Sequence, residues 1–173
     1  MIKVLIADDH PIVRQGLRQI LSEIPDMRVA GEAVNGQETL DQVRAGGWDV
    51  LVLDITMPDR SGLDILKELK HQQPDLPVLV LSIHAEEQFA VRLLKAGASG
   101  YLTKENAPDE LVKAIRKVVG GGKYISQSLA ESLAFSLDVA SDQPRHETLS
   151  DREFQVMQLM ASIMYMGKST SEP

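Results

Sequence analysis

The feature that most constrains the fold is a continuous apolar run, Val50-Leu51-Val52-Leu53, which ends in a carboxylate at Asp54. An uninterrupted apolar strand is typical of the buried centre of a parallel sheet that helices cover on both faces. In open α/β sheets, ligands bind where the carboxyl ends of the strands open onto loops. Asp54 stands at such an end. It is either a functional carboxylate or a solvated cap of the following turn, and this stretch alone does not separate the two.

Four more short apolar runs alternate with helical patterns through roughly the first 120 residues, near 3–7, 27–33, 77–82 and 100–103. Pro11 and Pro108 suit first helical turns, and Asn106 suits the cap of the last helix. The alternation predicts an α/β fold with a doubly wound, five-stranded parallel sheet and right-handed crossovers, followed by a short helical C-terminal segment.

Composition excludes several classes of function. The 173-residue chain has a formal net charge of -7, which argues against a chain-wide basic surface for nucleic acid or anionic membranes. It contains no cysteine, so a disulfide framework, a thiol nucleophile and a thiolate zinc site are excluded. Signal-peptide features and apolar stretches of membrane-spanning length are both lacking. We therefore expect a cytoplasmic protein without a membrane partner.

Polar side chains follow four of the predicted strands, at Asp8-Asp9, Asp54, Ser82 and Lys104. A parallel sheet would bring them together at one edge. Three carboxylates there repel one another by about 4 kcal/mol per pair at 4 Å and an effective dielectric near 20, so positive charge must compensate. Mg²⁺ suits oxygen ligands, and Lys104 supplies a second cation.

These groups are the parts needed to hold a transferring phosphoryl group, with Asp54 as the nucleophile that forms an acyl phosphate. Taken singly, each residue has a commoner structural role as a helix cap, a turn residue or a solvated lysine. Their joint placement at strand ends is much harder to explain by chance.

Residues 1–122 resemble the receiver domain of two-component response regulators, which has the flavodoxin-like (βα)5 fold. The resemblance rests on four segments taken together: Ile6-Ala7-Asp8-Asp9-His10, Leu53-Asp54-Ile55-Thr56-Met57-Pro58, Leu81-Ser82 and Gly100-Tyr101-Leu102-Thr103-Lys104.

The resemblance implies that Asp54 accepts a phosphoryl group from a sensor histidine kinase. It also implies that Mg²⁺ is held by Asp8, Asp9 and Asp54 together with the backbone carbonyl of Thr56. Self-phosphorylation and autodephosphorylation at Asp54 would then be the chain's only chemistry, so we expect no separate enzymatic activity.

By the same resemblance, Ser82 and Lys104 would bind the phosphoryl oxygens. Tyr101 would be an aromatic switch that turns inward when Ser82 moves, and its alternative role is a half-buried aromatic at the sheet edge. Phosphorylation would shift the protein towards an active state, with homodimerisation as the expected consequence.

Many receivers carry proline after the lysine, whereas Lys104 precedes Glu105 here. This pair, Ala7-Asp8-Asp9-His10-Pro11 and Gly121-Gly122-Lys123-Tyr124-Ile125-Ser126 resemble the NarL/FixJ branch, whose output domain is a LuxR-type helix-turn-helix that controls transcription.

The tail divides into a linker with a short helix at 123–147 and a segment at 148–173 that resembles the truncated start of a LuxR-type helix-turn-helix domain. Ser150 and Glu153 have capping-box spacing, which any capped amphipathic helix would share. The second helix, which would enter the major groove, has no residues to build it. We therefore expect DNA binding only in a full-length form with a complete helix-turn-helix.

Two other functions compete with this interpretation. A Mg²⁺-dependent phosphohydrolase of the haloacid-dehalogenase type also forms an aspartyl phosphate, but it carries an Asp-x-Asp pair on one strand, whereas this chain has adjacent Asp8-Asp9 and a distant Asp54. A flavin carrier would need a hydroxyl- and glycine-rich phosphate loop after the first strand, where this chain has carboxylates.

Overall fold

The computed structural model describes residues 1–83, 87–126 and 129–130. Five parallel strands form one sheet in the order β2-β1-β3-β4-β5: β1 (Ile2–Ala7), β2 (Met27–Ala33), β3 (Val50–Asp54), β4 (Val78–Ser82) and β5 (Gly100–Thr103). Five helices alternate with them: α1 (Pro11–Ser22), α2 (Gly36–Ala45), α3 (Gly62–Gln72), α4 (Glu87–Lys95) and α5 (Ala107–Val119).

This arrangement confirms the predicted doubly wound, five-stranded parallel fold. The predicted C-terminal segment at 148–173, and the linker beyond residue 130, lie outside the described residues. Among the helices that the structure describes, none is both long enough and apolar enough to cross a bilayer.

The central strands explain why the sequence shows continuous apolar runs. Every residue of β3 and of β4 is buried, because helices cover both faces of the sheet. On one face, Ile6 and Val52 belong to a core cluster that also includes Leu17 of α1 and Leu111 of α5. Burying each such leucine side chain contributes roughly 1.5–3 kcal/mol.

Two of the three predicted helix-start signals are confirmed. Helix α1 begins at Pro11, and Pro108 lies in the first turn of α5, where a missing backbone N–H costs nothing. Asn106 stands at the predicted N-cap position of α5, but it does not act as a side-chain cap. Asn106 has right-handed helical backbone angles instead of the extended ones of a capping residue, and its side chain makes no cap hydrogen bond. The backbone N–H of Asn106 donates to the Thr103 carbonyl at 3.2 Å, within the turn that joins β5 to α5.

The packed structure continues beyond Gly122, along the free edge of β5. Tyr124 donates its backbone N–H to the Ser99 carbonyl at 2.9 Å, and its own carbonyl accepts from the Tyr101 N–H at 3.0 Å. Gly100 permits this approach, since a Cβ there would lie 2.8 Å from the Tyr124 carbonyl oxygen. The start of the predicted linker is therefore hydrogen-bonded to the last strand of the sheet.

Candidate functional site

The strand order places an acidic cluster at the carboxyl edge of the sheet. The chain winds from β1 to β2 on one side and then returns to β3 on the other, so the ends of β1 and β3 form the topological switch point. Ala7 pairs with Leu53, and the residues that follow them, Asp8 and Asp54, therefore emerge side by side. One ligand atom from each of four side chains lies within 4.8 Å of the others: Asp8, Asp9, His10 and Asp54.

Lys104 is the counter-cation of this cluster. Its Nζ lies 2.7 Å from Asp54 Oδ2 and 2.8 Å from Asp8 Oδ2. Both carboxylates are fully buried, and the lysine side chain is only 12% exposed. Burial acts to lower the pKa of Lys104, but the hydrogen bonds and charges of Asp54 and Asp8 outweigh it and raise the pKa above its usual value. Lys104 therefore carries its positive charge at neutral pH.

Thr56 holds one oxygen of the Asp54 carboxylate. The Thr56 backbone N–H donates to Asp54 Oδ1 at 2.9 Å, and the Thr56 hydroxyl donates to the same oxygen at 2.7 Å. The other oxygen, Oδ2, faces Lys104. The two oxygens of Asp54 thus have different surroundings. The sequence predicted a role for the Thr56 carbonyl alone, so neither of these hydrogen bonds was expected.

His10 also belongs to the cluster, although no role was predicted for it from the sequence. Its Nδ1 lies 2.9 Å from Asp9 Oδ1, 3.1 Å from Asp8 Oδ1 and 3.8 Å from Asp54 Oδ2. Its backbone N–H also donates to Asp8 Oδ1 at 2.7 Å. The signal in the sequence was its position directly after Asp8-Asp9, at the end of a predicted strand.

The donor set fits a hard divalent cation. Two buried oxygens of the cluster each have a single nitrogen nearby: Asp8 Oδ2 lies 2.8 Å from Lys104 Nζ, and Asp9 Oδ1 lies 2.9 Å from His10 Nδ1. Three carboxylates and one ammonium leave a formal charge of -2 when His10 is neutral. Because buried, uncompensated carboxylates are costly and Mg²⁺ prefers carboxylate oxygens, the cluster is compatible with such an ion.

Ser82 and Tyr101 lie on the strands beside Asp54. Ser82 is fully buried at the end of β4, and its carbonyl accepts the Lys104 backbone N–H at 2.7 Å. The register pairs Ser82 with Thr103 and Val80 with Tyr101, so alternation places Ser82 and Tyr101 on the same face of the sheet. Tyr101 is 3% exposed, so its ring is buried in this structure.

Arg14 supports the loop that carries Asp8. Its Nη1 donates to the Asp8 carbonyl at 2.7 Å, while its Nε donates to Glu32 Oε2 at 3.2 Å. This role of Arg14 was not predicted, since a charged position on a helix carries no signal of where its side chain reaches.

Asp59 ties the loop after Asp54 to the start of α2. Its two oxygens accept the backbone N–H groups of Gly36 at 2.8 Å and Gln37 at 3.1 Å. Burial acts to raise the pKa of Asp59, but these backbone donors outweigh it and hold the pKa below the usual value. No local pattern signals a contact between residues 23 positions apart.

Comparison with known proteins reveals a consistent set of relatives. The sequence profile of the response regulator receiver domain matches residues 4–116. Response regulator GacA of Pseudomonas aeruginosa is 39% identical over 163 residues, which cover 94% of this chain and 76% of that protein. Response regulator UvrY of Escherichia coli O6:H1 is 37% identical over 158 residues, covering 91% of this chain and 72% of that protein.

A solved structure agrees with these relatives. The two-component response regulator of the LuxR family from Aurantimonas sp. SI85-9A1 superposes with a TM-score of 0.74 and 32% identity. The match covers 78% of this chain and 96% of that one. The likeness thus extends from the sequence to the packing of the whole sheet.

Proposed function

The chain belongs to the two-component response regulators, and from this premise we propose that Asp54 accepts a phosphoryl group from a sensor histidine kinase. The observation that carries the proposal is the pairing of a fully buried Asp54 with Lys104 at the switch point of the sheet. A carboxylate held beside a cation in a site of low dielectric suits a reaction in which negative charge must be neutralised.

Asp54 is the nucleophile in this proposal, and Thr56 and Lys104 hold its carboxylate in place. A new P–O bond forms to one carboxylate oxygen while the P–N bond of the kinase phosphohistidine breaks, and the departing imidazole nitrogen keeps the electron pair and takes a proton. Lys104 neutralises charge on the phosphoryl oxygens, and the Ser82 hydroxyl donates to one of them.

Asp8, Asp9 and Asp54, with the Thr56 carbonyl, would hold Mg²⁺, which supplies further charge neutralisation for the phosphoryl group when bound. The support for this set is the surplus negative charge of the cluster, in which three carboxylates are gathered beside one ammonium group. Self-phosphorylation and autodephosphorylation at Asp54 would be the chain's only chemistry.

Signalling would follow from a population shift, because a phosphoryl group biases only those states that bind it differently. Ser82 would contact the phosphoryl group, and Tyr101, on the same face of the sheet, would change its packing in response. Tyr101 is also joined through its backbone N–H to Tyr124, which gives β5 a direct connection to the chain that leaves α5.

The proposed architecture is a receiver at 1–122, a linker at 123–147 and the truncated start of a LuxR-type helix-turn-helix domain at 148–173. Homodimerisation would accompany phosphorylation in the cytoplasm, and transcription control would require a full-length form with a complete DNA-binding domain. The response regulators GacA and UvrY, each matched over more than nine-tenths of this chain, support this architecture.

The test is intact mass spectrometry after incubation with acetyl phosphate and Mg²⁺. We expect one added phosphoryl group on the natural chain, no addition to Asp54→Asn or in the presence of a chelator, and normal addition to the control Asp41→Asn, whose carboxylate is exposed on α2. An adduct that persists in Asp54→Asn would refute the assignment. Catalytic release of phosphate from small phosphomonoesters without an adduct would instead support the phosphohydrolase, which the relatives do not favour.

A further inference from the structure

We propose that Arg14 is a positioning residue of the site, whose guanidinium fixes the backbone at Asp8 and so orients the Asp8 carboxylate for the divalent cation and for Lys104. Arg14 lies on α1 and is not itself a ligand. The inference rests on the metal site proposed above and adds to it a residue that sets the affinity from outside. Its consequence is that loss of Arg14 weakens Mg²⁺ binding, although a positive charge is removed.

The backbone of Asp8 is held from two sides. Its N–H donates to the Ala33 carbonyl of β2 at 3.1 Å, and its carbonyl accepts from Arg14 Nη1 at 2.7 Å. The pairing of β1 with β2 ends at Ala7 and Ala33, so Asp8 lies one residue beyond the last strand pair. The guanidinium thus takes the place of a ladder hydrogen bond where the chain leaves the sheet and turns towards α1.

Glu32 of β2 holds the Arg14 side chain in this position. Arg14 Nε donates to Glu32 Oε2 at 3.2 Å while Nη1 reaches the Asp8 carbonyl, and the arginine side chain is only 14% exposed. These contacts use two nitrogens of one planar fork at once, which a lysine ammonium on its flexible stem does not reproduce. The side chain therefore connects the end of β2 to the backbone that carries Asp8.

The orientation of Asp8 matters because both of its carboxylate oxygens are engaged. Oδ1 accepts the His10 backbone N–H at 2.7 Å, and Oδ2 lies 2.8 Å from Lys104 Nζ. The side chain is fully buried, so a rotation of the Asp8 backbone would break contacts that solvent does not readily replace. Loss of a residue that orients a metal ligand typically lowers affinity by about 10–100-fold, and we expect about tenfold because Ala33 still holds the Asp8 N–H.

Arg18 provides a matched control on the same helix. Its Nη2 lies 2.6 Å from Glu32 Oε1, so it pairs with the same carboxylate as Arg14, but it is 58% exposed and lies one turn further from the loop that carries Asp8. Removal of either charge makes the surroundings of the acidic cluster more negative, which by electrostatics alone would strengthen the binding of a divalent cation. A positioning role predicts the opposite sign for Arg14 only.

The experiment titrates Mg²⁺ into the full chain by isothermal titration calorimetry. We expect Arg14→Gln to raise the dissociation constant about tenfold, and Arg18→Gln to leave it unchanged or lower it. Arg14→Lys keeps the charge and should also raise the dissociation constant, because the ammonium lacks the fork.

A second measurement needs no metal. The His10 N–H donates to Asp8 Oδ1, so its amide hydrogen exchange should speed up in both Arg14 variants and stay unchanged in Arg18→Gln. A merely structural role of Arg14 would instead speed exchange throughout α1.

The outcomes separate this inference from the metal site on which it rests. Failure of the natural chain to bind Mg²⁺ would overturn the metal site and the inference together. If the natural chain binds Mg²⁺ and Arg14→Gln binds it at least as tightly, the positioning role is wrong and the carboxylate site stands. Equal losses of affinity in Arg14→Gln and Arg18→Gln, or natural affinity in Arg14→Lys, would also overturn it. If Arg14→Gln does not fold, Arg14→Lys decides the question by the same two measurements.

Discussion

Replacement of Lys104 by alanine should destabilise the metal-free domain strongly, because one ammonium group serves two buried carboxylates. Its Nζ lies within 2.8 Å of both Asp54 and Asp8, and neither carboxylate is exposed to solvent. In Lys104→Ala, these carboxylates keep their burial but lose their counter-charge. The variant therefore tests whether Lys104 is the internal cation of the site.

The size of the effect follows from the burial of the ion pairs. Removal of one partner from a buried pair typically costs about 3–5 kcal/mol, and we expect the lower end, about 3 kcal/mol, because Lys104 is 12% exposed. For a domain of this size, each kcal/mol lowers Tm by roughly 3–4 °C, so Tm should fall by about 10 °C.

The pH dependence of this stabilisation has a defined sign. The pKa of Lys104 is raised in the folded state above the usual value of 10.5, so its contribution is fully present below that pH. It is lost only as the pH rises through the higher folded-state pKa. The deficit of Lys104→Ala should therefore stay constant between about pH 7 and pH 9 and shrink only in strong alkali.

Urea unfolding followed by circular dichroism, with a chelator present, is the measurement. Lys113→Ala is the control, since that lysine is exposed on α5 and its loss should change the free energy of unfolding by no more than about 0.5 kcal/mol. Mg²⁺ should stabilise Lys104→Ala more than the natural chain, because the variant site is one charge more negative. Equal unfolding midpoints for Lys104→Ala and Lys113→Ala would refute the argument.

Three further substitutions test the contacts around the site. Asp59→Asn should lower the free energy of unfolding by about 0.5–1 kcal/mol at about pH 6, a small effect because the side chain is exposed. The difference should be fully present above pH 3.8 and be lost only as the pH falls below it, through the lowered folded-state pKa of Asp59. Gly62→Ala should cost about 1–3 kcal/mol, because its Cβ would lie 2.6 Å from the Ile55 carbonyl oxygen. Gly100→Ala should cost a similar amount in urea unfolding and, by pushing the Tyr124 carbonyl away, should speed amide hydrogen exchange along the edge of β5.

Gly16→Ala is the matched control for the two glycine variants. A Cβ at Gly16 in α1 would meet nothing within 4 Å, so alanine there should stabilise the domain by about 0.4–1 kcal/mol through helix propensity and reduced freedom of the unfolded chain. If all three glycine variants behaved alike, the close contacts would not be the cause. A difference between Asp59→Asn and the natural chain that did not depend on pH would count against the charge of Asp59.

The sequence alone determined the sheet and the position of its functional edge. The buried run that ends at Asp54 requires cover on both faces, and alternation with helices then dictates parallel strands, because each crossover returns the chain to the same end of the sheet. Both patterns are local properties of the sequence and depend on no contact between distant residues. They place Asp8, Asp54 and Lys104 at a common edge, where Lys104 Nζ lies within 2.8 Å of both carboxylates.

Helix caps were predicted less reliably from the sequence than strands, because the backbone at a helix start can adopt more than one conformation. Asparagine often caps helices, but the backbone of Asn106 adopts helical angles, so its side chain makes no cap hydrogen bond. The preference of asparagine for the capping conformation is worth about 1 kcal/mol, and the turn that connects β5 to α5 overrides it.

Only the tertiary structure decided which side chains complete the site. The His10 ring could have faced solvent, and its approach to the carboxylates depends on how α1 leaves β1. Asp59 meets the start of α2, and Tyr124 meets the edge of β5, only because loops far apart in the sequence converge in space. Periodicity and burial are properties of a segment and can be read from its residues, whereas these contacts depend on the relative positions of segments, which packing of the whole domain sets.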